Sequence, residues 1–173
     1  FAPDLYFGLR EQWFPTDPRR YESERDGEYV VDGFDALDGY TRDVAANGGD
    51  PPAPTVFYRV VDYPDDPLLV VQYWIYSAFD QFTTNFHWHD WELLQTFVDT
   101  EADRAVLHAA SAHSQRVPNN EYIEPEAERA AVLSEVGSHS SALGLNATRD
   151  EFERLSLDGT GPDVTNELSL IHT

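Results

Sequence analysis

The residue types best suited to chemistry are concentrated in one segment, NFHWHDWE, at residues 85–92. It places two histidines and two carboxylates within six residues. If Asp90 opens a β-strand, residues two apart share a face, so Asp90 and Glu92 lie on one side and Trp91 and Leu93 on the other. Their backbones are then about 6 to 7 Å apart, which lets both carboxylates converge on one cation. The spacing therefore predicts a metal site.

Two residues nearby extend this predicted site. Asp80 ends the preceding aromatic strand, and His87 lies on the loop before the new strand, where it can fold over the same face. Three carboxylates favour a hard cation such as Ca²⁺, Mg²⁺ or Mn²⁺, whereas two or three histidines with one carboxylate favour Zn²⁺. We expect Ca²⁺ or Mg²⁺, with Zn²⁺ and Mn²⁺ as alternatives. The predicted ligands are Asp80, His87, Asp90 and Glu92.

Three further histidines can add a ligand or support one: His89, His113 and His139. In a chain with 32 acidic residues, the same motif can also be a solvated strand edge without any ligand. Against that alternative, carboxylates flanked by Trp88 and Trp91 are poorly hydrated unless they are paired. A cation is the simplest partner for them.

The charge of the chain excludes two classes of partner. Its 32 acidic and 11 basic residues give a formal net charge of -21, which repels nucleic-acid phosphates and anionic lipid head groups. We therefore expect no nucleic acid and no anionic membrane as a partner. All 11 basic residues are arginine. An acidic surface stays soluble where dense counterions screen its self-repulsion, so this composition predicts adaptation to high salt, as in an extreme halophile.

The motifs favour binding over catalysis, although they leave three functions open. Cysteine is absent, and neither a GxSxG motif nor a glycine-rich phosphate loop is present. The segment 80–88, DQFTTNFHW, offers amides, hydroxyls and aromatic faces for a sugar-like ligand but no lysine or arginine to stabilise an anionic transition state. We expect a divalent-metal-binding domain that recognises a carbohydrate or a lipid head. The alternatives are a metal-dependent hydrolase or lyase with Glu92 or His113 as base, and a structural surface protein in which the cation only joins strands.

The elements that must position these residues are mostly strands. Segments 55–62 and 68–78 are rich in β-branched and aromatic residues and predict two paired strands, and further strands are predicted at 91–98, 105–111 and 131–136. Residues 1–20 are predicted to be extended, 32–46 to form a short helix and 150–155 a helical turn. We predict a mainly β, sandwich-like fold, with α+β and a few short helices as the alternative, and a single domain over residues 1–173. Because the chain begins at Phe1 and lacks methionine, we expect it to be a portion of a longer precursor.

The central motif resembles two families. HWHDWE at 87–92, followed by SAHS at 111–114, is similar to the GHRHDWE and SAHG pattern of the necrosis- and ethylene-inducing-like proteins. APDLYF at 2–7, QWFPTD at 12–17, QYWIYSAFD at 72–80, DWELLQTFVD at 90–99 and GSHSS at 137–141 resemble the vacuolar protein sorting-associated protein 62 family, and this second resemblance covers more of the chain.

The first resemblance implies a β-sandwich with a Ca²⁺ or Mg²⁺ site that binds membrane glycolipid heads and permeabilises cells. By that resemblance the metal ligands are Asp80, His87, Asp90 and Glu92, with His113 nearby, and a secreted or cell-surface location is favoured over a cytoplasmic one. The chain departs from the pattern, because Trp88 replaces the arginine, Asn-Phe at 85–86 replaces the glycine, and no cysteine pair exists. The second resemblance implies a similar sheet without an assigned activity. Neither indicates an oligomeric state.

Overall fold

The computed structural model describes residues 1–82, 85–112, 120–125, 129–143 and 152–155. Strands dominate this part of the chain, which confirms the prediction of a mainly β fold. In chain order, the elements of the described residues are β1 (Asp4–Gly8), a 3-10 helix (Pro18–Tyr21), β2 (Ser23–Arg25), β3 (Glu28–Val30), α1 (Gly33–Ala46), β4 (Val56–Tyr63), β5 (Leu68–Phe82), β6 (Asn85–Asp99), β7 (Arg104–Ser111), β8 (Asn120–Ile123), β9 (Ala131–Ser134), β10 (Ser141–Leu143) and β11 (Phe152–Leu155).

The strands of the described residues form two main sheets and a small hairpin. Five strands follow one another in the order β4-β5-β6-β7-β8, each antiparallel to its neighbour. Four short strands form the second sheet in the order β10-β9-β1-β11, where β1 and β9 are parallel and the other pairs antiparallel. The hairpin of β2 and β3 stands apart from both sheets. The second sheet therefore joins the beginning of the chain to its later part.

The five-stranded sheet is covered on both faces. On one face, Leu5 and Phe7 of β1 and Val132 of β9 share a buried apolar cluster with Ile75 of β5 and Leu94 of β6. On the other face, helix α1 contributes Ala36 and Tyr40 to a second cluster, which also contains Tyr21, Val31, Tyr76 and Ala78. Because burial of apolar area is the main favourable term in folding, these two clusters fix the sheet between its neighbours. The result is a sandwich-like layer arrangement with a helix on the outer face.

Helix α1 begins where its sequence indicates. The Asp32 side chain accepts a hydrogen bond from the backbone N–H of Phe34 and caps the first turn. Gly39 allows close packing, since a Cβ there would lie 2.4 Å from the ring of Tyr21. Among the described residues, no helix is long and apolar enough to cross a bilayer.

Two local predictions were wrong. The segment predicted as a helical turn at 150–155 contains strand β11, whose residues 152–155 pair with the open edge of β1. Pairing with a strand some 150 positions away leaves no local pattern in the sequence. His87 lies inside β6 rather than on a loop before it, because the hairpin of β5 and β6 continues to the pair Phe82 and Asn85. The single domain over residues 1–173 stays a prediction.

Candidate metal centre

The long hairpin of β5 and β6 brings the first candidate ligands together. In its register Asp80 lies directly opposite His87, and Ser77 lies opposite Asp90. Directly opposed residues on antiparallel strands have side chains on the same face. Pairing of the two strands near the hairpin tip thus brings the side chains of Asp80 and His87 together.

His89 interrupts the regular alternation of β6. Residues three apart on a strand normally point to opposite faces, which would separate His87 from Asp90. The register nevertheless runs from Ser77 and Asp90 to Phe79 and Trp88 without a pair at His89, and His89 has a left-handed backbone with φ 58°. Such a conformation costs about 1 to 3 kcal/mol for a non-glycine residue and is maintained only by its surroundings. Here it brings His87 and Asp90 to one side.

Asp80, His87 and Asp90 form a group that can hold a metal ion. One ligand atom from each of the three lies within 4.8 Å of the others. His87 Nε2 is 3.1 Å from Asp80 Oδ2 and 4.0 Å from Asp90 Oδ1. Asp80 is 2% exposed and Asp90 5%, whereas the His87 side chain is 42% exposed. Buried carboxylates facing an accessible imidazole have the oxygen and nitrogen donors for a divalent cation that solvent can reach.

His139 supports this group from a second segment. It lies in the turn between β9 and β10, and its Nδ1 is 2.5 Å from Asp90 Oδ2. Its Nε2 lies 3.3 Å from Glu11 Oε1 as an ion pair without the alignment of a hydrogen bond. Burial lowers the pKa of His139, but the contacts with Asp90 and Glu11 outweigh burial and raise that pKa to about 9. A cationic imidazole between two carboxylates is the physical consequence.

Glu11 is a buried site residue that the sequence analysis missed. Its Oε1 accepts hydrogen bonds from the backbone N–H groups of Gln12 and Trp13, and its Oε2 accepts one from Gly137. Burial raises its pKa, but the interactions with His139 and the hydrogen bonds from the N–H groups of Gly137 and Trp13 lower it to about 2. The sequence signal that could have identified Glu11 is an acidic residue directly before the segment QWF, which contains two aromatic residues. Such an acid is seldom buried unless it is paired.

Glu92 lies near the group but has a partner of its own. The Ser111 hydroxyl donates a hydrogen bond to Glu92 Oε2, and the backbone N–H of Leu93 donates to the same hydroxyl at 2.8 Å. Burial, together with the negative charges of Asp90 and Asp80, outweighs the Ser111 hydrogen bond and raises the pKa of Glu92 to about 8. Its assignment as a ligand stays a prediction. A nearby cation would favour its ionised form.

The two remaining histidines of the predicted site are His89 and His113, and the structure describes only His89. His89 lies on the side of helix α1, where its Nδ1 is 3.0 Å from the hydroxyl of Tyr76, and burial lowers its pKa. It is not part of the Asp80–His87–Asp90 group. His113 lies outside the described residues.

Exposed aromatic rings flank His87 on the opposite face of the hairpin. Phe86 is 62% exposed and Trp88 42%, and the Trp88 ring packs against that of Phe34 with centroids 4.8 Å apart. By contrast, Trp91 packs against Tyr76 and Trp74, as expected for core side chains. The hairpin tip thus presents polar donors on one face and aromatic surface on the other.

No protein-family model matches the chain, and no curated protein matches it. The resemblance to the vacuolar protein sorting-associated protein 62 family therefore stays a prediction.

Solved structures similar to this one include necrosis- and ethylene-inducing proteins. NLPPya in complex with mannosamine and with glucosamine each has 18% identity and a TM-score of 0.50, covering 87% of this chain and 66% of that one. Necrosis and ethylene inducing protein 2 from the causal agent of cocoa's witches' broom disease has 17% identity and a TM-score of 0.51, covering 87% of this chain and 68% of its own. The chain spans about two thirds of these proteins. At this identity the likeness shows a shared fold.

Proposed function

We propose that the protein is a divalent-cation-binding module that recognises a carbohydrate or a glycolipid head through the bound cation. The observation that carries this proposal is the group of Asp80, His87 and Asp90 at the hairpin tip, buried at its carboxylates and exposed at its imidazole. A hard cation prefers oxygen ligands and keeps some of its positions for water or ligand. Sugar hydroxyls are oxygen donors that can take those positions.

Two further observations support a sugar-like ligand. Phe86 and Trp88 are exposed on either side of His87, and aromatic faces pack well against the apolar faces of sugar rings. Because these rings lie on the other face of the hairpin, a ligand contacting both them and the cation must follow the hairpin edge, which suits an oligosaccharide or a branched head group. Structures with a similar fold were solved with mannosamine and glucosamine bound.

The cation proposed for this site is Ca²⁺ or Mg²⁺, and Glu92 is proposed as a fourth ligand. The proposal includes a halophilic source, from the charge of -21 carried with arginine as the only basic residue, and a secreted or cell-surface location. A metal-dependent hydrolase or lyase is the second candidate. Glu92 favours it, since this half-buried carboxyl group close to Asp80 and Asp90 is placed where a general base would be required.

The test is a cation titration followed by a glycan screen, both in molar KCl. Calorimetry with Ca²⁺, Mg²⁺, Mn²⁺ and Zn²⁺ should give one site per chain, and that site should be lost in Asp80→Asn. Neutral and charged glycans are then screened with cation and with chelator, and each bound glycan is examined by mass spectrometry.

We expect chelator-sensitive binding that leaves the glycan unchanged and is weakened by Trp88→Ala without loss of cation affinity. Cation-dependent product formation would favour the hydrolase or lyase instead. Cation binding without any glycan binding would favour a structural role for the ion.

A further inference from the structure

The turn that carries His139 is held by the carboxylate of Glu11. Within this turn, Gly137 and His139 both have left-handed backbones, with φ 85° and φ 52°. Glu11 Oε2 accepts the N–H of Gly137 at 2.9 Å, and Glu11 Oε1 lies 3.3 Å from His139 Nε2. One buried carboxylate therefore contacts both residues of the turn that have left-handed backbones, and of the two only His139 incurs the cost of a non-glycine residue there.

The same turn is attached to the hairpin at two points beside the candidate cation ligands. His139 Nδ1 contacts Asp90 Oδ2 at 2.5 Å, and the carbonyl of Gly137 accepts the N–H of Gln81 at 2.9 Å. Gln81 directly follows Asp80 in β5. Through His139 and Gly137, Glu11 is thus linked to Asp90 itself and to the residue that directly follows Asp80.

Glu11 is itself fixed from the other side. Its Oε1 accepts the N–H groups of Gln12 and Trp13, both at 2.7 Å, and the residue is 7% exposed. The indole of Trp13 in turn donates to Gln81 Oε1 at 3.0 Å. The carboxylate has little freedom to reorient, which is the property required of a group that positions others.

We propose that Glu11 is a positioning residue: it holds His139 against Asp90 and the turn against Gln81, and so presets the two aspartates for the cation. This inference rests on the proposed function, because it assigns a supporting role within the same site. Groups that orient metal ligands without touching the ion typically change affinity by about 10- to 100-fold when they are removed.

The decisive variant is Glu11→Gln, which keeps the size of the side chain. A carboxylate accepts hydrogen bonds at both oxygens, whereas an amide accepts at one end only. The variant must therefore release either Gly137 or the N–H groups of Gln12 and Trp13. Glu135→Gln is the matched control, since Glu135 lies in the same turn but its exposed carboxylate accepts from the Ser138 hydroxyl.

Three measurements are made on wild type, Glu11→Gln and Glu135→Gln in molar KCl: thermal unfolding, Ca²⁺ and Mg²⁺ affinity, and the NMR signals of the His139 ring in chelator. We expect Glu11→Gln to remain folded, to lose about tenfold or more in cation affinity, and to shift the His139 ring signals. Glu135→Gln should match wild type in the last two. If Glu11→Gln does not fold, Glu11→Asp, which keeps the charge but is one methylene too short, is measured in the same way.

The outcomes separate this inference from the proposed function. Unchanged cation affinity with unchanged His139 signals in a folded Glu11 variant would overturn the inference and leave the cation site intact. Absence of divalent binding in wild type would refute the proposed function, and with it the role of Glu11 in cation affinity. A change in Glu135→Gln equal to that in Glu11→Gln would also overturn the inference, because the effect would then belong to the turn as a whole.

Discussion

Replacing Asp80 with asparagine should separate the stability of the cation-free protein from its ability to bind a cation. Asp80 and Asp90 are both buried, and their ligand atoms lie within 4.8 Å of each other. At an effective dielectric constant of about 20, two negative charges at that distance repel by about 3.5 kcal/mol. Asparagine keeps the oxygen that accepts the Phe82 N–H at 2.7 Å, so the substitution removes the charge and preserves that hydrogen bond.

The expected result has opposite signs with and without the cation. In chelator, Asp80→Asn should unfold at the same temperature as wild type or above it, because relief of repulsion offsets the lost contact with His87. With free cation at about 100 times its Kd, wild type should gain about 2.7 kcal/mol. For a chain of this length that gain corresponds to a rise in Tm of about 5 to 11 °C. Asp80→Asn should show no such rise.

Differential scanning calorimetry in molar KCl, with chelator or with each cation, measures both quantities. The control is Asp65→Asn, an exposed position in the turn between β4 and β5, at the far end of the hairpin. It should keep the full cation-induced rise. A cation-induced rise that persists in Asp80→Asn would show that the cation binds elsewhere. A clear fall in the Tm of cation-free Asp80→Asn would refute the argument from repulsion.

Three other outcomes follow from charge and geometry. The Tm should be higher in molar than in dilute KCl because counterions screen the charge of -21, and equal values by calorimetry would contradict adaptation to salt. Asp90→Ala combined with Glu92→Ala should abolish stoichiometric divalent binding in an isothermal titration, and unchanged affinity would move the site elsewhere. Gly137→Ala should lower the free energy of unfolding by about 1 to 3 kcal/mol in a urea titration, since φ is 85° and its Cβ would lie 3.1 Å from the Gln81 carbonyl oxygen; wild-type stability would show that the turn adapts.

The elements that could be predicted from the sequence are those with a local pattern of residue types. β4, β5 and β6 are rich in β-branched and aromatic residues, which are favoured in strands, and Asp32 marks the start of α1. The four-stranded sheet had no such signal as a whole, because its strands are three to five residues long and its pairs join Leu5 to Val132 and Leu155. Short strands become stable through such distant pairing rather than through intrinsic preference.

The residues of the candidate site likewise fall into those with a local sequence signal and those without one. Asp80, His87 and Asp90 were recognisable because one hairpin holds them and their residue types suit a cation. The left-handed backbone at His89 was not, although it decides which side chains share a face. Glu11 was missed because its partners, His139 and Gly137, are more than 120 positions away.

The distribution of the site over two sheets has a consequence for how the protein folds. Asp80 and Asp90 belong to the five-stranded sheet, whereas Glu11 follows β1 and His139 lies between β9 and β10 in the four-stranded one. The contacts of His139 with Asp90 and of Gly137 with Gln81 therefore cross between the sheets. If these contacts hold the aspartates in the arrangement that binds a cation, the binding free energy of that cation adds to the packing of one sheet on the other. In a protein with a charge of -21, a bound cation would then act both as a ligand for recognition and as a counterion for the fold.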